Sequence, residues 1–599
     1  MASRASLMLV LGASTVSCLL YQGCSGGSFG SKPLVKSLAI TTTSPLPAGS
    51  VGVAYSDQFA ATGGTAPFQW SLASGSTLPA GLALSSSGLL AGTPTALGVN
   101  TFSIRVTDSA AVPATATQSF TLTISGGTNV ARLNGDFAFE FSGFNATGAI
   151  VAGGSFHADG SGNISAGVED FTTTTGHTNQ TFSGSYSLGS DNRGMLVFAS
   201  LPGSPAYAFA IDSSEAHGRL IEFDATGTRG SGQLEKQGLS VCAFNSITGE
   251  YAVGITGNAT SAAGFGAGPV VMAGRFTATP PGTQTGQGSI GNGEMDANTP
   301  GSFPLTRETV FGSYQSTSQT ARCAATISPQ SLPSMNFSVY PVSETEFFLV
   351  ETDAISASTP LLMVGTLIQQ VGFPFSGPAV GFTANSVGGL TGQFFSGGSY
   401  VPDVAIAALT ATGSSGFSLA VVENQAGTIK NFSGASNFVG ADSFGRVATN
   451  LMTPIDPIFY MINQSEAFVI GEIFNNPFLG IMLPQSSGPF TASAIKGSFA
   501  QGTSFPVTNA VHNLSGVLAL DGVQAVTGTQ DLSTTSGNMA GQSVSGTYTI
   551  SNSTAGFGSI TLTTPANFAG SFYLVSPTQF VLVSTTSGDA NPVLIFAQQ

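Results

Sequence analysis

Charge is what this 599-residue sequence has least of: 8% of its residues are Asp, Glu, Lys or Arg, and only 15 are basic against 30 acidic. So few cations cannot form a basic face able to exchange counterions with a phosphate backbone, which excludes nucleic acid as a partner. Helices rich in Glu, Lys and Arg are excluded by the same scarcity. Tryptophan occurs once and histidine four times, at His157, His177, His217 and His512, with no HxxxH spacing. A Cys/His metal cluster is therefore not visible. No apolar run reaches the roughly 20 residues that a membrane-spanning helix needs.

What is abundant instead is Gly (78), Phe (44), Ser and Thr, with 42% hydrophobic residues and a mean hydropathy of +0.27. That mixture describes β-strands joined by tight turns, with enough apolar surface to offset the entropy of ordering. The length predicts about four to six units. We expect an all-β chain.

Arg4 precedes an apolar stretch over 7–16, the length of a signal-peptide core and too short to cross a bilayer. Tyr21-Gln22-Gly23-Cys24-Ser25-Gly26-Gly27-Ser28 then resembles a bacterial lipobox running into a flexible tether. The resemblance implies a lipid on Cys24, with Cys18 as the rival and plain secretion as the alternative. The expected location is the outer membrane or cell surface, with the membrane reached through this N-terminal anchor. The two other cysteines, Cys242 and Cys323, form an even pair in an exported chain and are expected to make a disulfide.

Residues 38–124 alternate in short strands, as in Phe102-Ser103-Ile104-Arg105-Val106 and Phe120-Thr121-Leu122-Thr123-Ile124. The succession Ser44-Pro45-Leu46-Pro47, Gly63-Gly64-Thr65-Ala66-Pro67-Phe68-Gln69-Trp70, Leu78-Pro79-Ala80-Gly81-Leu82, Gly88-Leu89-Leu90-Ala91-Gly92-Thr93-Pro94 and Val106-Thr107-Asp108 resembles the immunoglobulin-like, cadherin-related module of bacterial surface proteins. That resemblance implies a β-sandwich used as a spacer or adhesive module, with Trp70 in its core. Some related modules bind calcium, for which Asp57 and Asp108 stand at plausible positions; two isolated carboxylates are thin support for an ion that takes six to eight oxygens, and a turn role suits Asp108 better.

Beyond residue 131 three anchors recur. The first is φ-x-G-x-[Phe/Tyr], at Leu133 to Phe137, Ile247 to Tyr251, Leu390 to Phe394 and Ile495 to Phe499. Gly184, Gly312, Gly434 and Gly546 form the second, and a polar turn ending in Glu215, Glu346, Glu466 and Gln579 the third. The second and third anchors are 31, 34, 32 and 33 residues apart, a near-constancy that argues for four copies. Each copy holds about eight strands, matching a small barrel or a sandwich, with the barrel preferred; the strands look shorter than the nine to eleven residues of a membrane barrel. The expected units are a signal peptide (1–23), a tether (24–37), the sandwich (38–125) and repeats at 132–237, 238–370, 385–485 and 490–599.

Catalytic patterns fail one by one. Asp159, Ser161, Asn163 and Asp170 imitate a calcium loop, but Ile164 stands where the loop needs Gly, so an Asp-Gly turn shared with Asp521-Gly522 explains them better. Gly26-Gly27-Ser28-Phe29-Gly30 lies in the tether and not on a strand-to-helix turn. The Glu series at the third anchor ends in Gln579, as a shared turn would allow and a catalytic residue would not. We therefore expect no catalytic residue, no metal site and no cofactor. The function these features point to is adhesion or ligand binding at the cell surface, toward a protein or a polysaccharide, with a ligand-free structural spacer as the alternative.

Overall fold

The computed structural model describes residues 37–599 apart from 95–97, 225, 239–241, 243–246, 261–266, 282–286, 303, 318–320, 354–360, 373, 376–381, 413–415, 440–441, 452–455, 474–475, 506–511 and 565–567. Cys18, Cys24, the leader and all but the last residue of the tether assigned from sequence lie outside the described residues.

The first domain is a sandwich. A sheet in the order Gly49–Ser50, Thr115–Ser125, Gly98–Thr107, Gln69–Leu72 faces one of Tyr55–Gln58, Leu89–Gly92 and Leu82–Leu84. Its core gathers the alternate residues Phe102, Ile104, Val106 and Phe120, Leu122, Ile124 around Trp70, whose ring stacks on Phe59 at 5.8 Å between centroids. Trp70→Ala is expected to cost this domain about 3–5 kcal/mol. Calorimetry should show its transition falling while the barrels' transitions stay in place; an unmoved profile would remove Trp70 from the core argument. Asp108 closes a turn, accepting from the amides of Thr65 (2.9 Å) and Ala114 (2.6 Å), and the Ala114 and Thr65 bonds hold its carboxyl below the usual carboxylate range.

Four closed barrels follow, each of eight antiparallel strands in up-and-down order with the first strand pairing the eighth. They span 134–236, 249–369, 386–484 and 497–598. Between the barrel and the sandwich left open by sequence, closure decides for the barrel. Full closure removes the unpaired strand edges that a small open sheet would expose. Inward residues give each barrel its own apolar core. The strands are longer than the pattern predicts, 12 residues in Asn134–Asn145 and 16 in Gly537–Asn552, because Gly and Ser within them read as turns in sequence yet continue the ladder.

The barrels do not hang in a row. Strands 1 and 2 of barrel 1 pack on strands 6 to 8 of barrel 2, the same faces join barrel 2 to barrel 3 and barrel 3 to barrel 4, and barrel 4 returns onto strands 6 to 8 of barrel 1. This head-to-tail contact closes on itself, so one chain builds a ring with fourfold pseudo-symmetry. Consequently, strands at the joints are apolar on both faces, as in Ile458-Phe459-Tyr460-Met461-Ile462, where Phe459 and Met461 fill barrel 3 while Ile458, Tyr460 and Ile462 pack on barrel 2. Gly254 and Gly502 occupy equivalent outward positions in strand 1, where a Cβ would stand 2.6 Å from the Phe468 ring and 2.3 Å from Arg219 Cβ. Only glycine lets the next barrel approach that closely.

The joints share a polar device. On strand 3, Asp170 of barrel 1 accepts from Arg322 and from the Tyr340 hydroxyl of barrel 2, and Asp296 of barrel 2 does the same with Arg446 and Tyr460 of barrel 3. At the closing joint Asp531 of barrel 4 meets Arg193 of barrel 1 at 2.7 Å. The third joint has none of this: strand register places Val422, Phe557 and Tyr573 at the same positions, and they pack as an apolar cluster.

Register also corrects the repeat alignment. In barrel 3 the counterpart of Leu133, Ile247 and Ile495 is Phe382, buried in the core, and not Leu390, which lies eight residues later inside strand 1. In barrel 1 the counterpart of Glu346, Glu466 and Gln579, each the first residue of strand 7, is His217 and not Glu215, because that hairpin is one residue longer and the counterpart of Val342 at its start is Asp212, not Ile211.

Candidate functional site

Barrel 1 has a half-open cavity of ≈ 190 Å³ at one mouth. Its floor is aromatic. Phe141 of strand 1 meets Tyr207 of strand 6 edge to face, 5.5 Å between centroids. Ile150 and Phe171 form walls, and the loop carrying Leu201, Pro202 and Pro205 borders the entrance.

Into this apolar space strand 3 (Asn163–Thr173) sends Glu169 and strand 7 (His217–Glu222) sends Glu222. Glu222 is 2% exposed: its Oε1 accepts from the Asp224 amide (3.1 Å) and the Thr226 hydroxyl (3.4 Å), while Oε2 has no hydrogen-bond partner among the described residues. Burial, and then the neighbouring Asp224 carboxylate, pushes Glu222 up to about 10. Burial, and then the charge of Asp170 on the opposite face of its own strand, pushes Glu169 up to about 8. Both are therefore neutral acids at pH 7, able to donate as well as accept. Tyr207 is pushed well above its ordinary value by burial and then by the charges of Glu169, Glu222 and Asp224.

The site belongs to barrel 1. Strand register sets Met295 and Val421 at the position of Glu169 in barrels 2 and 3, both within apolar cores. Barrel 2 does keep a carboxyl at the position of Glu222: Glu351, 1% exposed, with an unpartnered Oε2. Sequence reasoning passed over Glu169 and Glu222. The available signal was an isolated acid inside an apolar strand, Leu220-Ile221-Glu222, in a chain with little charge to spare.

The residues singled out from sequence lie elsewhere. A disulfide joins Cys242 and Cys323, tying the approach to barrel 2 to its fifth strand, both sulfurs within the core. Asp159 caps its own turn, accepting from the amides of Ser161 and Asn163, and Asp521 does so in barrel 4. Glu215 pairs with Arg132 at 3.0 Å. Glu346 is pushed up to about 7 by burial and then by the charge of Glu235. His157, His177 and His217 each face one carboxylate, Asp136, Asp170 and Glu235. Asp57 keeps a buried, unpartnered Oδ2. Among the described residues no three His, Cys, Asp or Glu side chains form a metal-sized group.

Residues 37–125 match the family model described as "Putative Ig domain" (He_PIG). No curated protein matches the chain. Among solved structures it is similar to transferrin binding protein B from Haemophilus parasuis Hp5, at 10% identity over 66% of this chain and 86% of that one, TM-score 0.17. It is also similar to isotype 1 of transferrin binding protein B from serogroup B Neisseria meningitidis, at 10% identity over 70% and 85%, TM-score 0.16. A protein of unknown function from Nostoc punctiforme gives 8% identity over 40% and 97%, TM-score 0.13. The chain thus opens with an immunoglobulin-like domain of the He_PIG family over residues 37–125 and continues as four closed eight-stranded barrels.

Proposed function

We propose that this is an exported, surface-located binding protein without catalytic activity, held at the membrane through Cys24, in which the immunoglobulin-like domain is a spacer and barrel 1 takes a small ligand. The observation that carries the reading is the barrel 1 cavity: concave, largely apolar and holding a few convergent polar groups, one of them a buried carboxyl with an oxygen that has no hydrogen-bond partner among the described residues. A polar atom left so costs about 1–3 kcal/mol, which a ligand donor would recover. The other three barrels serve as the frame that holds barrel 1.

Ligand-observed NMR with a fragment library on the full chain tests this. Ile150→Trp fills the cavity from its wall and should abolish the saturation-transfer signals of fragments that bind wild type, with the thermal unfolding profile of barrels 2 to 4 retained. Fragments that bind the variant as they bind wild type would overturn the reading. The structural-spacer alternative draws on a different observation, the closed ring, whose buried joints make the rigid body a spacer needs.

A further inference from the structure

We propose, resting on the reading of barrel 1 as a binding site, that its ligand is a small organic cation: an amine carrying an apolar body about the size of one ring. The first support is the sign of the lining. Glu169, Glu222 and Asp224 line the cavity, and among its described lining residues there is no Lys, Arg or His to receive an anion. The second is the unpartnered Oε2 of Glu222, 98% removed from solvent, a position suited to a donor arriving from the cavity.

The third support is the floor. Phe141, Phe171 and Tyr207 offer π faces to a desolvated cation, while Pro202 and Pro205 narrow the entrance with rings that bring no charge. Size follows from volume. An apolar cavity of about 150 Å³ holds benzene, so ≈ 190 Å³ accommodates a single ring with a short substituent.

Charge balance sets the protonation of these acids and what the ligand changes. Burying charge with no counter-ion beside it disfavours ionisation of each of the two carboxyls, so each holds a proton. An ammonium seated between them supplies the missing positive charge, and the carboxyls ionise as it binds. The protons go to solvent: R–NH3⁺ plus a Glu carboxylic acid gives the R–NH3⁺ carboxylate pair and one H⁺, or two H⁺ if both acids ionise, with no covalent bond made and no electrons transferred. Asp170 lies behind Glu169 on the outward face, where Arg322 pairs it, so it takes no part in this exchange.

Isothermal titration calorimetry on the full chain at pH 7.5 separates the outcomes, using benzylamine, benzyl alcohol and benzoate in phosphate and in Tris. Benzylamine should bind at least tenfold tighter than benzyl alcohol and benzoate should not bind. The benzylamine heats should differ between the two buffers by the heat of about one to two protons released. Glu222→Gln, which keeps the shape of the neutral acid, should lose tenfold or more for benzylamine and little for benzyl alcohol; Glu169→Gln serves as the second variant should the first fail to fold. If benzyl alcohol binds as tightly as benzylamine, or if no protons are released, the cation proposal fails and the cavity reading stands. If none of the three binds, the cavity reading itself fails and this proposal with it.

Discussion

Asp296→Ala should destabilise the joint between barrels 2 and 3 by about 3–5 kcal/mol. Arg446 is buried, and its guanidinium makes two parallel bonds to Asp296, Nε to Oδ2 at 2.7 Å and Nη2 to Oδ1 at 3.0 Å. The Tyr460 hydroxyl donates to the same Oδ2 at 2.7 Å. Deleting the carboxylate leaves a buried cation with only the longer contacts to Glu294 and Glu472, both 3.5 Å, and orphans a buried hydroxyl. The third joint of the ring shows the apolar solution to the same geometry, Val422 against Phe557 and Tyr573. Asp296→Val combined with Arg446→Phe copies it. Because replacing a buried ion pair by packed apolar groups is often neutral or stabilising, the double variant should lie within about 1 kcal/mol of wild type or above it. Urea unfolding of wild type, both singles and the double completes the cycle, compared through transition midpoints because a five-domain chain need not unfold in two states. A harmless single change, or a double as damaged as the single, would refute the account.

The second large effect is on pH. Glu169 and Glu222 titrate at about 8 and about 10 in the folded protein, against 4.5 for an ordinary glutamate. Between 4.5 and those values the folded state holds protons that the unfolded chain has released. Stability from these two groups is therefore complete below about pH 4.5 and falls as pH rises, until pH passes about 8 for Glu169 and about 10 for Glu222. The loss runs at about 1.4 kcal/mol per pH unit for each group. Glu222→Gln removes one of the two slopes, so its Tm should match wild type near pH 4.5 and exceed it increasingly toward pH 8, where the difference reaches several kcal/mol. Buried Glu140, Glu351 and Asp403, raised for the same reason, leave a slope common to both proteins. Parallel curves would mean that Glu222 ionises freely in the fold.

Local patterns were legible because each arises within one strand or one turn. The immunoglobulin-like domain could be read from its turns and from Trp70, and the four copies from glycines and polar turns at nearly constant spacing. Glu169 could not be placed inward by counting. Ile164 faces the core of barrel 1, and a strict alternation from it would put Glu169 outside and Asp170 inside. The bulge between Ile164 and Gly167 shifts the parity, so Glu169 enters the cavity and Asp170 turns to Arg322. Barrel 2 repeats the shift between Ile290 and Gly293, which carries Met295 inward and leaves Asp296 for Arg446.

By itself the sequence determined the β class, the immunoglobulin-like opening domain, the fourfold repetition and the scarcity of cations, since composition, turn residues and recurrence are properties of neighbouring residues. Only the tertiary structure decided that each repeat closes as a barrel, that the barrels close as a ring, and that one of them keeps two carboxyls in an apolar mouth. Those outcomes depend on which face of a strand a residue reaches and on outward faces hundreds of residues apart, such as Arg193 and Asp531, meeting at the angle that lets the last barrel return to the first.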